Sequence, residues 1–189
     1  MPAIWPPFEA FYIESMLFNS GWAIESLDYV IRAMQQIESG SDEAPDHAML
    51  LTHLQNVVTQ GAALSRYFWP SRRAYEARGT LLREAFAMRD DSPLRKRDLR
   101  DSMEHFDERL DDYLGTDVVG VVLPEYVGPM PAKDDLPGHF FRAFFIDVGV
   151  FQLLGERYPM QPLADEIVRV HNLLIQFRES GGRFVRSAT

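Results

Sequence analysis

Arg100 and His105 stand five residues apart in the segment RDSMEH, at the point where the charge of the chain changes sign. Residues 66–100 carry ten Lys and Arg against five Asp and Glu, whereas residues 101–113 carry six acids and one arginine. Histidine titrates near neutral pH and arginine binds phosphate bidentately, so the pair suits chemistry on phosphate esters. The same pattern also fits a solvated helix face of i,i+4 ion pairs.

Arg100 and His105 do not share one face of a straight helix. Five residues correspond to about 140° of net helical rotation, so the two side chains would not touch. To act together they must flank a groove, or a second helix or subunit must complete the site.

The segment resembles the R-x4–6-H motif of the HEPN superfamily (higher eukaryotes and prokaryotes nucleotide-binding domain). In that motif a polar residue follows the arginine, as Asp101 does here. The family fold is an all-α bundle with the motif on a late helix. Many members are metal-independent endoribonucleases of toxin–antitoxin and anti-phage systems, and others are inactive partners or binding modules.

The resemblance implies a role for each residue of the motif. His105 would be the general base towards a ribose 2′-OH or the acid towards the leaving oxygen, Arg100 would bind the scissile phosphate, and Asp101 would orient one of them. General acid–base transfer of this kind contributes about 10²–10⁴ in rate. HEPN proteins commonly dimerise so that two motifs line one cleft, and we therefore expect a homodimer.

Arginines mix with aromatic residues upstream of this segment. Such a mixture can bind single-stranded nucleic acid by charge and by stacking. We expect RNA contacts at four arginines: Arg66, Arg72, Arg73 and Arg97. The alternative is that the neighbouring aromatic residues form core at a helix end while the arginines are solvated.

Composition limits the other classes of function. The net charge of −9 argues against a protein that coats nucleic acid through bulk electrostatics, although a local basic patch is compatible with it. The chain has no cysteine, which excludes disulfides, thiolate zinc sites and iron–sulfur clusters. No metal-binding spacing or phosphate-cradling glycine loop occurs, so no metal and no cofactor are expected. We expect a cytoplasmic protein without a membrane-spanning segment.

Helical periodicity predicts most of the elements. Apolar residues recur at steps of three and four over residues 8–38, and again from Pro45 to Pro70. Shorter helices are predicted over residues 72–88, over residues 93–114 with the RDSMEH segment and Ser92 as a cap, and over residues 162–179 with two glycines at the end, Gly181 and Gly182. The apolar stripes predicted for the second and last helices are Leu50, Leu54, Val57, Val58, Ala62 and Phe68, and Leu163, Ile167, Val170, Leu174 and Phe177. In the third helix, Tyr75, Leu82 and Phe86 are predicted to lie on one side.

Residues 116–160 have a different character. β-branched and aromatic runs at 118–122, 140–146 and 150–154 surround a turn at 147–149, and a loop rich in Pro and Gly spans 124–138. We predict a small antiparallel sheet or hairpin at about 117–154. The whole chain is therefore interpreted as one mainly α domain: a four- or five-helix bundle (8–114 and 162–179) with a β insertion (116–160).

Three functions are compatible with these residues. The first is a HEPN-like metal-independent endoribonuclease of a toxin–antitoxin or anti-phage system. The second is a non-catalytic helical interaction module, such as an inactive HEPN-like partner of a cognate protein, which would carry a large apolar surface on an outer helix. The third is a bundle that binds a small ligand or a nucleotide.

Overall fold

A computed structural model of the chain describes residues 4–40, 45–96, 106–115, 120–132 and 138–184. Within these ranges the fold is mainly α with a small sheet before the last helix, as predicted. The α-helices are α1 (Glu9–Ser39), α2 (His47–Phe68), α3 (Glu76–Ala85), α4 (Phe106–Leu114) and α5 (Met160–Glu179). The strands are β1 (Val121–Gly128), β2 (Gly138–Phe145), β3 (Val150–Leu153) and β4 (Glu156–Pro159).

The core lies between α1, α2 and α5, whose apolar stripes face one another. The stripes predicted for α2 and α5 are buried at every position. One end of the core is closed by edge-to-face contacts of Phe86 with Phe68 and with Phe177, each with 5.2 Å between ring centroids. Tyr75 was predicted to share one side of a helix with Leu82 and Phe86, which are buried, but it is half exposed because it lies in a 3-10 turn (Arg73–Tyr75) before α3 begins.

Local sequence signals explain where the long helices begin and end. The Asp46 carboxylate caps α2 by accepting hydrogen bonds from the backbone N–H groups of Ala48 and Met49, at 2.9 and 3.2 Å. Gly40 ends α1 in the left-handed conformation, with φ of 62°. Gly181 and Gly182 follow α5 with φ of 94° and 72°, as the sequence predicts.

The prediction of one helix over residues 93–114 is wrong at its start, residues 93–96. Ser92 does cap a helical turn, but the turn is a 3-10 turn (Pro93–Arg95), and Lys96 is extended with ψ of 131°. The turn is anchored on α2, since Leu94 is fully buried and its carbonyl accepts a hydrogen bond from Ser65 Oγ. The described part of helix α4 starts at Phe106.

The sheet has the order β1-β2-β3-β4 and is mixed. β1 pairs with β2 in parallel, whereas β2–β3 and β3–β4 are antiparallel. The purely antiparallel prediction is therefore wrong for the first pair, since a β-branched run indicates a strand but not its direction. β1 also includes residues 124–128, which were predicted as loop, and Pro124 is tolerated because β1 is an edge strand. The turn at 147–149 is confirmed.

Replacement by alanine at two helical glycines should change the free energy of unfolding in opposite directions. A Cβ at Gly79 would lie 2.6 Å from Pro70 Cδ and 2.7 Å from the Phe68 carbonyl oxygen, whereas a Cβ at Gly21 would meet nothing within 4 Å. We expect Gly79→Ala to lower the free energy of unfolding by about 1–3 kcal/mol. Gly21→Ala should raise it by about 0.5–1 kcal/mol. Urea denaturation measures both, and a Gly79→Ala protein as stable as wild type would contradict the close approach of α3 to the end of α2.

Candidate functional site

The predicted catalytic residues Arg100, Asp101 and His105 lie outside the described residues, as does Arg97. Their roles stay predictions. The other three expected RNA contacts, Arg66, Arg72 and Arg73, are described and lie near one another in the chain, at the end of α2 and in the connection to α3.

These arginines belong to a group that we call the arginine–tyrosine surface. Its members are Arg66, Tyr67, Arg72, Arg73, Tyr75 and Arg78. The guanidinium carbon of Arg78 lies 5.9 Å from the ring centroid of Tyr67 and 5.7 Å from that of Tyr75. Arg78 also donates a hydrogen bond to the Arg66 carbonyl at 2.9 Å, which ties α3 to the end of α2. Arg78 thus holds the two tyrosines together while Arg66, Arg72 and Arg73 are exposed.

The local charge of this surface is positive although the chain as a whole is acidic. Glu76, in the first turn of α3, is paired with Arg83 at 2.7 Å, so these two charges cancel. Arg83 is held in place by a second hydrogen bond, to the Phe68 carbonyl at 2.5 Å. The alternative in which the aromatic residues form core is correct for Phe68, which is fully buried, but not for Tyr75.

An apolar surface on the outer side of α1 was not predicted from the sequence. We call it the aromatic face, formed by Phe8, Phe11, Ser15, Phe18 and Trp22. Its four aromatic side chains are 50–72 % exposed. The members recur at steps of three and four, which aligns them along one side of a helix, roughly opposite the buried stripe that contains Met16. The spacing is visible in the sequence, but whether that side of α1 is covered is not.

The aromatic face adjoins the arginine–tyrosine surface. The hydroxyl groups of Ser15 and Tyr67 are 2.5 Å apart and form a hydrogen bond. The rings of Tyr12 and Tyr67 also meet edge to face, with 6.4 Å between centroids. The two surfaces therefore form one continuous region made of α1 and the end of α2.

Two histidines lie between the core helices and have structural partners. His171 Nδ1 and Ser20 Oγ are 2.8 Å apart, which joins α5 to α1, and burial followed by the charge of Arg178 lowers the pKa of His171. His53 stacks on Tyr29 with 4.1 Å between ring centroids, and its pKa is lowered by burial and then by the charge of Arg32. Within the described ranges, no three His, Asp or Glu residues are grouped as metal ligands would be.

Comparison with known proteins assigns neither a family nor a function to the chain. No protein-family model, no curated protein and no solved structure matches the chain. Membership of the HEPN superfamily stays a prediction that rests on the RDSMEH segment. In the part of the chain that the structure describes, no helix is long and apolar enough to cross a bilayer.

Proposed function

We propose that the chain is a homodimeric, HEPN-like, metal-independent endoribonuclease whose protomers associate through the aromatic face of α1. The observation that carries the association is the exposure of Phe8, Phe11, Phe18 and Trp22 on one side of a long helix. The RNA part of the proposal is supported by the RDSMEH segment and by the arginine–tyrosine surface.

The size of the apolar region favours a protein interface. Trp5 lies beside Phe8, with 4.8 Å between ring centroids, and extends the aromatic face. A whole aromatic side chain has a surface of roughly 200 Å². The exposed parts of Trp5 and of the four aromatic residues of the face therefore present roughly 600 Å² of apolar surface. The largest apolar patch on a typical monomeric protein measures about 300–600 Å² and often has a function, so the aromatic face lies at the upper end of that range. With its flanking side chains, the face approaches the ~800 Å² that each partner of a stable complex contributes.

The spacing of the aromatic face makes it self-complementary. A two-fold axis beside Ser15 would run two α1 helices antiparallel, with Phe11 opposite Phe18 of the partner subunit and Phe8 opposite Trp22 of the partner subunit. A small residue at the centre lets the helices approach, and aromatic residues on both sides fill the space between them. A two-fold interface needs this property, because each patch must match its own copy.

This arrangement would place two arginine–tyrosine surfaces beside the same axis, since Tyr67 is hydrogen-bonded to Ser15. Two basic, partly aromatic surfaces in a row suit a single-stranded RNA, whose phosphates bind arginine and whose bases stack on aromatic rings. The association also supplies a second subunit, which is one of the ways to complete a site around Arg100 and His105.

Salt dependence tests the arginine–tyrosine surface. Arg72→Gln with Arg73→Gln should weaken the binding of a fluorescent single-stranded RNA and reduce the slope of log K against log salt by about 1.4, because two phosphate contacts are lost. Fluorescence anisotropy in a His105→Ala background measures binding without cleavage. The control is Arg32→Gln with Arg89→Gln, which removes the same charge from two exposed arginines elsewhere. Equal losses of RNA affinity in both double variants would contradict RNA binding at the arginine–tyrosine surface.

The aromatic face also favours a second candidate, the non-catalytic helical interaction module. That function requires an apolar surface on an outer helix, as α1 has, but no RNA turnover. Incubation of the purified dimer with RNA distinguishes the two candidates, because only the ribonuclease converts RNA to shorter products.

A further inference from the structure

We propose that the groove between α1 and α5 binds a lipophilic organic cation, a small molecule with an apolar body and a positive charge. The groove encloses about 820 Å³. Pockets for small molecules and cofactors usually measure about 300–1,000 Å³. The groove lies on another side of α1 than the aromatic face, so the inference does not depend on the proposed function.

The position of the groove follows from how the two helices pack. α1 and α5 are joined near the middle of α1 by the hydrogen bond between Ser20 and His171. Beyond this contact, the second half of α1 and the first half of α5 form the two walls. The floor between them contains Leu54 of α2 and Phe144 of β2, both of which are buried. The groove is therefore framed by three helices and the sheet rather than by loops.

The walls are mainly apolar. Ile24, Ile31 and Met34 of α1 face Ala164 and Val168 of α5. Ile31 and Val168 are exposed, so a ligand between them would remove apolar surface from water on both walls at once. Ala164 is the smallest side chain of these five and leaves space that a larger residue would fill.

The charge at the rim of the groove determines which sign of charge a ligand should carry. Asp28 and Glu38 of α1 and Asp165 of α5 line the groove, and all three are exposed. Asp165 accepts a hydrogen bond from Gln161 at 2.7 Å, which fixes it at the rim.

Arg169, the cation among the lining residues, does not balance these carboxylates. Its guanidinium donates to both carboxylate oxygens of Glu166, at 2.7 and 3.0 Å, and to the Phe86 carbonyl at 2.8 Å. Glu166 is held in that pair by Ser92 as well, and its pKa is lowered by its hydrogen bonds with Arg169 and Ser92 despite its burial. The rim therefore keeps a net negative charge, which attracts a cation and repels nucleotides and other anions.

The probe is rhodamine 6G, a cationic xanthene dye, and fluorescein is its anionic counterpart with the same ring system. We expect rhodamine 6G to bind the wild-type protein with a rise in fluorescence anisotropy and in Tm, and fluorescein not to bind. Asp28→Asn with Asp165→Asn should weaken binding about two- to thirtyfold, the range for two exposed charge pairs. Ala164→Trp should abolish binding by filling the groove.

Glu14→Gln with Glu25→Gln is the matched control, because both carboxylates are exposed on α1 but do not line the groove. This control should bind rhodamine 6G as wild type does. Equal binding of the two dyes, or equal loss in the control and the rim variant, would overturn the proposal. So would failure of rhodamine 6G to bind while a basic amphipathic peptide binds, since the groove would then be a site for a helix. If Ala164→Trp does not fold, the comparison of the rim variant with its control still tests the proposal.

Discussion

Phe18→Glu together with Trp22→Glu is expected to turn the dimer into a monomer at micromolar concentration. The two side chains are 65 % and 53 % exposed in the protomer, so their replacement leaves the core intact. Aromatic residues that are buried hot spots of an interface cost about 2–4 kcal/mol each when removed, and the double variant should therefore raise Kd by more than about a hundredfold. Sedimentation velocity measures the mass of the species, and circular dichroism should be unchanged.

The control for this prediction is Ile31→Glu. Ile31 is 53 % exposed on the same helix but lines the groove instead of the aromatic face. This variant should remain a dimer. A monomeric wild-type protein, or a dimer that survives both substitutions, would contradict association through the aromatic face.

The absence of cysteine from the chain allows a direct test of the geometry of association. If the two-fold axis passes beside Ser15, the introduced thiols of two Ser15→Cys protomers lie close together and form an intermolecular disulfide under mild oxidation. Glu25→Cys, exposed on the same helix but ten residues away, should not cross-link with its own copy. The reverse result would keep the dimer but require a different alignment of the two helices.

The second large effect that we expect is a loss of RNA cleavage in the His105→Ala variant. If His105 transfers a proton in the cleavage step, its loss should reduce the rate of RNA cleavage by about 10²–10⁴. The cleavage by wild type should survive EDTA, because the resemblance to HEPN ribonucleases implies a reaction without metal. The assay follows a fluorescent single-stranded RNA on a denaturing gel, with Tm measured on the same samples.

The dimer variants make this experiment more specific. Phe18→Glu with Trp22→Glu should also lose cleavage if two motifs line one cleft of the dimer, as the resemblance to HEPN proteins implies. Equal cleavage by wild type and His105→Ala would refute the catalytic role of His105. An intact dimer without any cleavage would leave the interaction module as the function of the chain.

The long helices could be predicted from sequence because their periodicity and their ends agree. In α5, the five apolar positions predicted to face inward are all buried, and glycines follow the last turn. In residues 93–114, helical propensity and a capping serine favoured one continuous helix. Residues 93–96 instead form a 3-10 turn followed by an extended Lys96, where Leu94 contacts α2, and these tertiary contacts leave no mark on the local sequence.

The surfaces could be predicted only in part. The arginines at 66, 72 and 73 were identified because charge is visible in a sequence, whereas their arrangement around Tyr67 and Tyr75 depends on Arg78 and the position of α3. α1 carries apolar residues on two sides, and only the packing of α2 and α5 determines which side stays open. The groove could not be predicted from the sequence either, because it forms only where α1 and α5 pack beside each other.

The hydrogen bond between Ser15 and Tyr67 has a thermodynamic consequence for the proposed dimer. It joins the surface that would bind a second protomer to the surface that would bind RNA, so the two binding events are expected to be coupled. Such coupling is reciprocal: the factor by which RNA tightens dimerisation equals the factor by which dimerisation tightens RNA binding. At protein concentrations below the dimer Kd, RNA would then act as an assembly factor for the ribonuclease that cleaves it.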